Sequence, residues 1–186
     1  MKLFRLLTLA ASLTAALSNT QAKDTTARLM LKSDGPADIQ VIGNSDNAKL
    51  IDPQAKAITV EVPANANQWS TGSIKFKVSA DTDLRLRLSS NYTKTEEKWV
   101  FIDNVKGEGV QVENPDFESA GANGPNGWKF LQNGKGKAVL LQDDKAAASG
   151  QGFVKVSHTA PVVQVIHVPK DTEVTLSFSA KAASAK

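Results

Sequence analysis

From residue 23 onward, apolar and polar residues tend to alternate with a period of two. Ile74-Lys75-Phe76-Lys77-Val78 and Leu84-Arg85-Leu86-Arg87-Leu88 show it most cleanly. A period of two sends successive side chains to opposite faces, so each segment predicts a strand with one face on a core and cations on the other. Strands are also predicted over 28–32, 37–42, 58–62, 99–105, 138–142, 153–157, 162–168 and 174–180. Turn formers separate them: Ser33-Asp34-Gly35-Pro36, Gly43-Asn44-Ser45-Asp46, Ala80-Asp81-Thr82-Asp83, the glycine-rich stretch 121–127, and Asn133-Gly134-Lys135-Gly136. Many short strands at this spacing predict an all-β sandwich or barrel. Only 143–149 invites a helical turn.

The first residues follow another pattern. Lys2 and Arg5 precede an apolar stretch from Leu6 to Leu17, and Thr20 and Ala22 stand at positions −3 and −1 of a cut before Lys23. This is the layout of a secretory signal peptide, and its apolar run is too short to span a bilayer. Residues 1–22 are therefore expected to be a leader and 23–186 a single domain, secreted or periplasmic, with no membrane span. Without the leader 164 residues remain, ample for one core and marginal for two. The chain has no cysteine, so stability must come from burial or from a metal. Losing Lys2 and Arg5 takes the formal charge from +3 to +1, which gives no global attraction to nucleic acid.

No catalytic constellation is legible. His158 and His167 lie nine positions apart, without metal-ligand spacing, and read as surface or packed histidines. The carboxylates are scattered, with no recognisable acid/base pair. Gly134-Lys135-Gly136-Lys137 lacks the strand-to-helix setting of a phosphate loop and reads as a hairpin. No enzyme activity is expected.

A resemblance does emerge. Asn114-Pro115-Asp116-Phe117-Glu118, Gly127-Trp128, Ala148-Ser149-Gly150, Phe153-Val154-Lys155-Val156, Val163-Gln164 and the segment 175–182 follow one another in order. Together they resemble the first half of the galactose-binding-like β-jelly roll of carbohydrate-binding module families 4, 9 and 22, although Val174 stands where the family has a tyrosine. Trp69, the strand 74–78, Ala80-Asp81, the strand 84–88 and the closing Trp99-Val100-Phe101-Ile102-Asp103-Asn104-Val105 resemble its second half. Second-half-like 23–108 thus precedes first-half-like 109–186. Three arrangements satisfy that order: a circularly permuted jelly roll, a truncated tandem, and two chains exchanging halves. A single permuted roll fits the length best. It predicts one core holding Phe76, Leu86, Phe101, Phe117, Trp128 and Phe178, with the strand of Leu29 beside that of Leu176.

The resemblance implies a non-catalytic module that binds a poly- or oligosaccharide. The alternative is an envelope or extracellular structural or protein-interaction domain of the same fold without sugar binding. It also implies a structural Ca²⁺ held by Asp103 and Glu118, with Asp116 a third candidate; hard carboxylate oxygens suit that ion. For the ligand surface, Trp69 sits in a polar approach and Tyr92 in a loop, where either ring offers a stacking face for sugar C–H groups. Gln164 matches a position that is often polar on the family's concave face. Trp99 and Trp128 read as core. If the strands 74–78 and 84–88 pair, Lys75 and Lys77 share a face with Arg85 and Arg87, and this cationic row then suits an anionic polysaccharide or a lipid phosphate.

Overall fold

The computed structural model describes residues 25–134 and 136–183, so the leader lies outside the described residues. In chain order the strands are β1 (Thr26–Ser33), β2 (Ile39–Asn44), β3 (Lys49–Gln54), β4 (Ala57–Pro63), β5 (Ser70–Val78), β6 (Thr82–Ser90) and β7 (Trp99–Glu108). They continue as β8 (Ala120–Gly121), β9 (Gly124–Pro125), β10 (Lys129–Phe130), β11 (Val139–Gln142), β12 (Gly152–Ser157), β13 (Val162–Val168) and β14 (Val174–Ala182). No helix occurs among the described residues. The stretch 143–149 forms turns, with Ala146 and Ala147 donating to the Asp143 carbonyl at 3.1 and 2.9 Å.

Twelve of the strands build two antiparallel six-stranded sheets, packed as a sandwich compatible with a jelly roll, and β8 and β9 pair separately as a short ladder. Sheet I has the order β10-β13-β6-β1-β4-β3 and sheet II the order β11-β12-β7-β14-β5-β2. Alternation dictates the layering. Leu29 and Leu31 of β1, Leu84, Leu86 and Leu88 of β6, and Ile166 of β13 point inward and are fully buried. Ile74 and Phe76 of β5, Ile102 of β7, and Leu176 and Phe178 of β14 meet them from sheet II. Gly72 lets the sheets close at one corner, because any Cβ there would run into Val62 and Ala48. Strands from both sides of Gly107 enter each sheet and share this one core.

Several expectations need correction. Phe101 does not join the core, whereas Phe76, Leu86, Phe117, Trp128 and Phe178 do. Val100 and Ile102 take the inward positions of β7, so Phe101 faces outward from sheet II, while Trp99 at the start of the strand is partly buried and packs against the edge of the core. The strand of Leu29 is not beside that of Leu176. β1 pairs with β4 and β6 in sheet I, while β14 pairs with β5 and β7 in sheet II. Likewise β5 and β6 do not pair. The short link 79–81 carries the chain from sheet II to sheet I as a corner, tied down where Ser79 N–H donates to Asp38 O at 3.0 Å. Lys75 and Lys77 therefore lie on the far side of the sandwich from Arg85 and Arg87, and both face Glu173.

Candidate ligand-binding face

The outer face of sheet I is built by the polar half of each alternation. The register sets Arg87 between Met30 and Val163, and Arg85 between Lys32 and Val165. Val165 is 64% exposed in the middle of its strand, an uncovered aliphatic among cations. Most of these charges are matched locally. The Arg28 guanidinium meets Glu61 on the neighbouring β4. Arg85 Nη2 reaches Asp34 Oδ2 at 2.7 Å, and Lys32 approaches the same carboxylate at 3.6 Å. Arg87 instead donates from Nη2 to the His158 carbonyl at 2.7 Å, and its Nε is enclosed without an acceptor. Burial and the neighbouring Arg28 charge lower its pKa from the ordinary arginine value.

A hollow of about 530 Å³ opens at the β13–β10 side of this face, lined by Arg85, Trp128, Lys129, Leu131, Val163 and Val165. Gln164 also lines the hollow, but its amide is engaged within the protein. It is buried, with Nε2 donating to the carbonyls of Glu113 (2.9 Å) and Gly127 (3.1 Å) and Oε1 accepting Glu113 N–H (3.0 Å). Its role is to hold the Gly127–Trp128 segment that forms one wall. Trp128 itself is buried, its ring 5.2 Å from Phe117 and its Nε1 donating to Asn114 O at 3.0 Å.

Tyr92 is 58% exposed and rests on the His158 ring, centroids 5.1 Å apart. Ser90 Oγ donates to Lys98 O at 2.7 Å and closes the base of the loop that carries Tyr92. A cleft of about 310 Å³ lies within this loop, lined by Tyr92, Lys94, Glu97, Lys98, His158 and Thr159. Glu97 accepts from Ser157 Oγ at 2.5 Å, from Thr159 Oγ1, and from Thr159 N–H at 3.3 Å. Burial pushes the Glu97 carboxyl up, but these donors outweigh it and its pKa is lowered. The His158 pKa is also lowered, by burial first, then by the charges of Arg87 and Arg28, with Glu97 opposing. Its Nδ1 is buried with no hydrogen-bond partner.

Trp69 is not a free platform. It is half-buried, its Nε1 donates to Ala146 O at 3.1 Å, and its ring stands edge-on to Phe153 at 6.2 Å. Phe153 in turn meets Phe101 at 5.2 Å, and Lys155 Nζ lies 5.4 Å from the centroid of the Trp99 ring. Trp69 is thus tied to the 143–150 loop and to the Phe153–Phe101 pair, which is why polar flanks around Trp69 misread as exposure.

Asp103 and Glu118 converge on that same loop. A register shift in β7, with Asn104 at φ 53°, accompanies the turn of Asp103 under the loop, where it is fully buried. Asp103 accepts Asn104 N–H at 2.6 Å on Oδ1, and Ala148 and Ser149 N–H at 2.9 and 3.0 Å on Oδ2. Glu118 Oε1 accepts Gln151 and Gly152 N–H, both at 2.7 Å. Burial raises the Asp103 pKa, the three N–H groups oppose it, and the charge of Glu118 adds to the rise. A divalent cation would relieve that repulsion, so this donor set has the right chemistry for one. Asp116 contributes only a 3.4 Å contact from its Oδ1 to Glu118 N–H, and no group of three His, Asp or Glu suited to a metal occurs among the described residues.

Arg28, Glu97, Lys129, His158 and Val165 join the predicted Arg85, Arg87 and Tyr92 on or beside this face. Sequence reasoning passed over Arg28, Glu97, Lys129 and Val165 and read His158 as bland. The contacts that unite them join distant positions, such as Arg87 with His158 and Arg85 with Val165, and leave no local signal. Searches against family models, curated proteins and solved structures found no match for the chain.

Proposed function

We propose that the chain is an exported, non-catalytic module that binds a poly- or oligosaccharide on the outer face of sheet I. The observation that carries this reading is the hollow beside Val165, where exposed aliphatic surface lies among the donors of Arg85 and Lys129. Sugars need both kinds of surface, apolar contact for their C–H faces and hydrogen-bonding groups for their hydroxyls. The cations favour an anionic glycan. A Ca²⁺ at Asp103 and Glu118 would staple β7 to the loop after β11 and so support the fold away from the ligand face. What supports a permuted jelly roll is that the two ends of the described chain meet on one segment: Ala64 N–H donates to Thr25 O and Ala182 N–H to Asn65 O, each at 3.0 Å.

The test is a glycan array and polysaccharide pull-down with the mature protein, with and without calcium. Retention by one saccharide class, lost in Val165→Asp and weakened as salt rises, is the expected result. Silence across all classes would overturn the proposal and favour the structural or interaction domain.

A further inference from the structure

Of the three arginines on the outer face of sheet I, Arg28 has Glu61 and Arg85 has Asp34, while Arg87 has a main-chain carbonyl. A half-buried guanidinium without a counter-ion is costly, and so is an enclosed donor without an acceptor. Two such polar atoms, Arg87 Nε and His158 Nδ1, belong to residues already joined by a hydrogen bond. Nearby acids do not supply the missing charge. Glu61 pairs with Arg28 and Glu96 with Lys98, while Glu97 keeps its charge, held by Ser157 and Thr159, and is offset on the cleft by Lys94. Positive charge is therefore in surplus where the sheet face meets the loop cleft, and the exposed Tyr92 ring forms a wall beside it.

We propose that Arg87, His158 and Tyr92 form a subsite for an oxyanion-bearing sugar ring, a uronate or a sulfated residue. The anion would neutralise the Arg87 guanidinium while the C–H face of the ring stacks on Tyr92. Tyr92 and His158 line the cleft of about 310 Å³ and Arg87 adjoins it through its bond to the His158 carbonyl; that volume is at the low end of small-molecule pockets, about 300–1,000 Å³, and suits one or two sugar units. This assignment rests on the saccharide-binding reading and narrows it to a charge class. A bound anion would also act on His158, whose pKa is lowered first by burial and then by the charges of Arg87 and Arg28.

The mature protein, labelled at histidine, would be titrated by NMR with three probes: oligogalacturonate, its fully methyl-esterified form, and a sulfated galactan oligomer. One of the two anionic probes is expected to bind at least tenfold tighter than the ester and to move the His158 titration upward in pH; which of them does so identifies the oxyanion. Arg87→Gln should remove that preference and the His158 shift while leaving ester binding in place. Tyr92→Ala should weaken the ester and the acid alike, and it lies in an exposed loop, so its fold is not at risk. Equal binding of acid and ester with His158 unmoved would overturn the subsite while leaving saccharide binding intact. If inorganic sulfate alone shifts His158 at the same concentration, the site is a bare anion hole and the proposal falls. Failure of all three probes to bind would end the subsite, and silence across the whole array would end the saccharide-binding reading as well.

Discussion

Replacing Asp103 with alanine removes the one acceptor shared by three main-chain N–H groups, those of Asn104, Ala148 and Ser149. Hydrogen bonds to a charged acceptor contribute roughly 1.5–3 kcal/mol each, and N–H groups left unpaired cost about 1–3 kcal/mol. Relief of the desolvation of a fully buried carboxylate offsets part of this, so a net loss of about 3–5 kcal/mol is expected. For a chain of this size 1 kcal/mol moves Tm by about 2–4 °C, so Tm should fall by roughly 10 °C. The loss should be local in origin. In hydrogen exchange the Ala148 and Ser149 amides should lose protection well before those of β14. Asp103→Asn keeps one oxygen and should lose about half as much. Burial raises the folded-state pKa above the unfolded value, so the stability linked to this group is fully present below the ordinary aspartate range and is lost as pH rises through the raised value. A bound Ca²⁺ would reverse that sign by lowering the pKa, and calcium should then raise Tm in the parent and not in Asp103→Ala. A loss below about 1 kcal/mol, with both amides still protected, would refute the assignment of Asp103 as the anchor of this loop.

Trp69→Ala should cost about 2–4 kcal/mol by urea denaturation, somewhat below the loss for a fully buried tryptophan, and should leave saccharide retention unchanged; a neutral melt with lost binding would restore Trp69 as a platform. Gly127 has φ 75°, and a Cβ there would lie 2.6 Å from Glu113 Cδ, so Gly127→Ala should destabilise by about 1–3 kcal/mol and should also perturb the wall of the hollow. The lowered His158 pKa means that the unfolded chain takes up a proton first on acidification. Stability linked to this group should fall as pH drops through the ordinary histidine range, and Arg87→Gln should flatten that slope in pH-dependent denaturant melts.

Strand positions were legible because a strand with one buried face must alternate, and the ten predicted segments all lie on strands β1, β2, β4–β7 and β11–β14. β3 was not legible. Lys49-Leu50-Ile51-Asp52-Pro53-Gln54 carries a proline and a residue at φ 38°, breaks alternation, and is a strand only because the edge of β4 offers it partners. In β7 every residue from Trp99 to Ile102 is apolar, so period two cannot say which pair faces inward; the outward Phe101 became sensible only once Phe153 was laid against it, with Trp69 on the other side of that ring. The outward aim of Arg85 and Arg87 was readable from the leucines flanking them, and the exposure of Tyr92 from its polar loop. Which strands share a sheet was not readable, and that alone separated Lys75 and Lys77 from the arginines. Alternation is a property of one strand against a core, set by local sequence and burial. Sheet membership, and with it the meeting of Arg87 with His158 and of Asp103 with Ser149, is set by pairings between distant segments, which only the packed structure brings together.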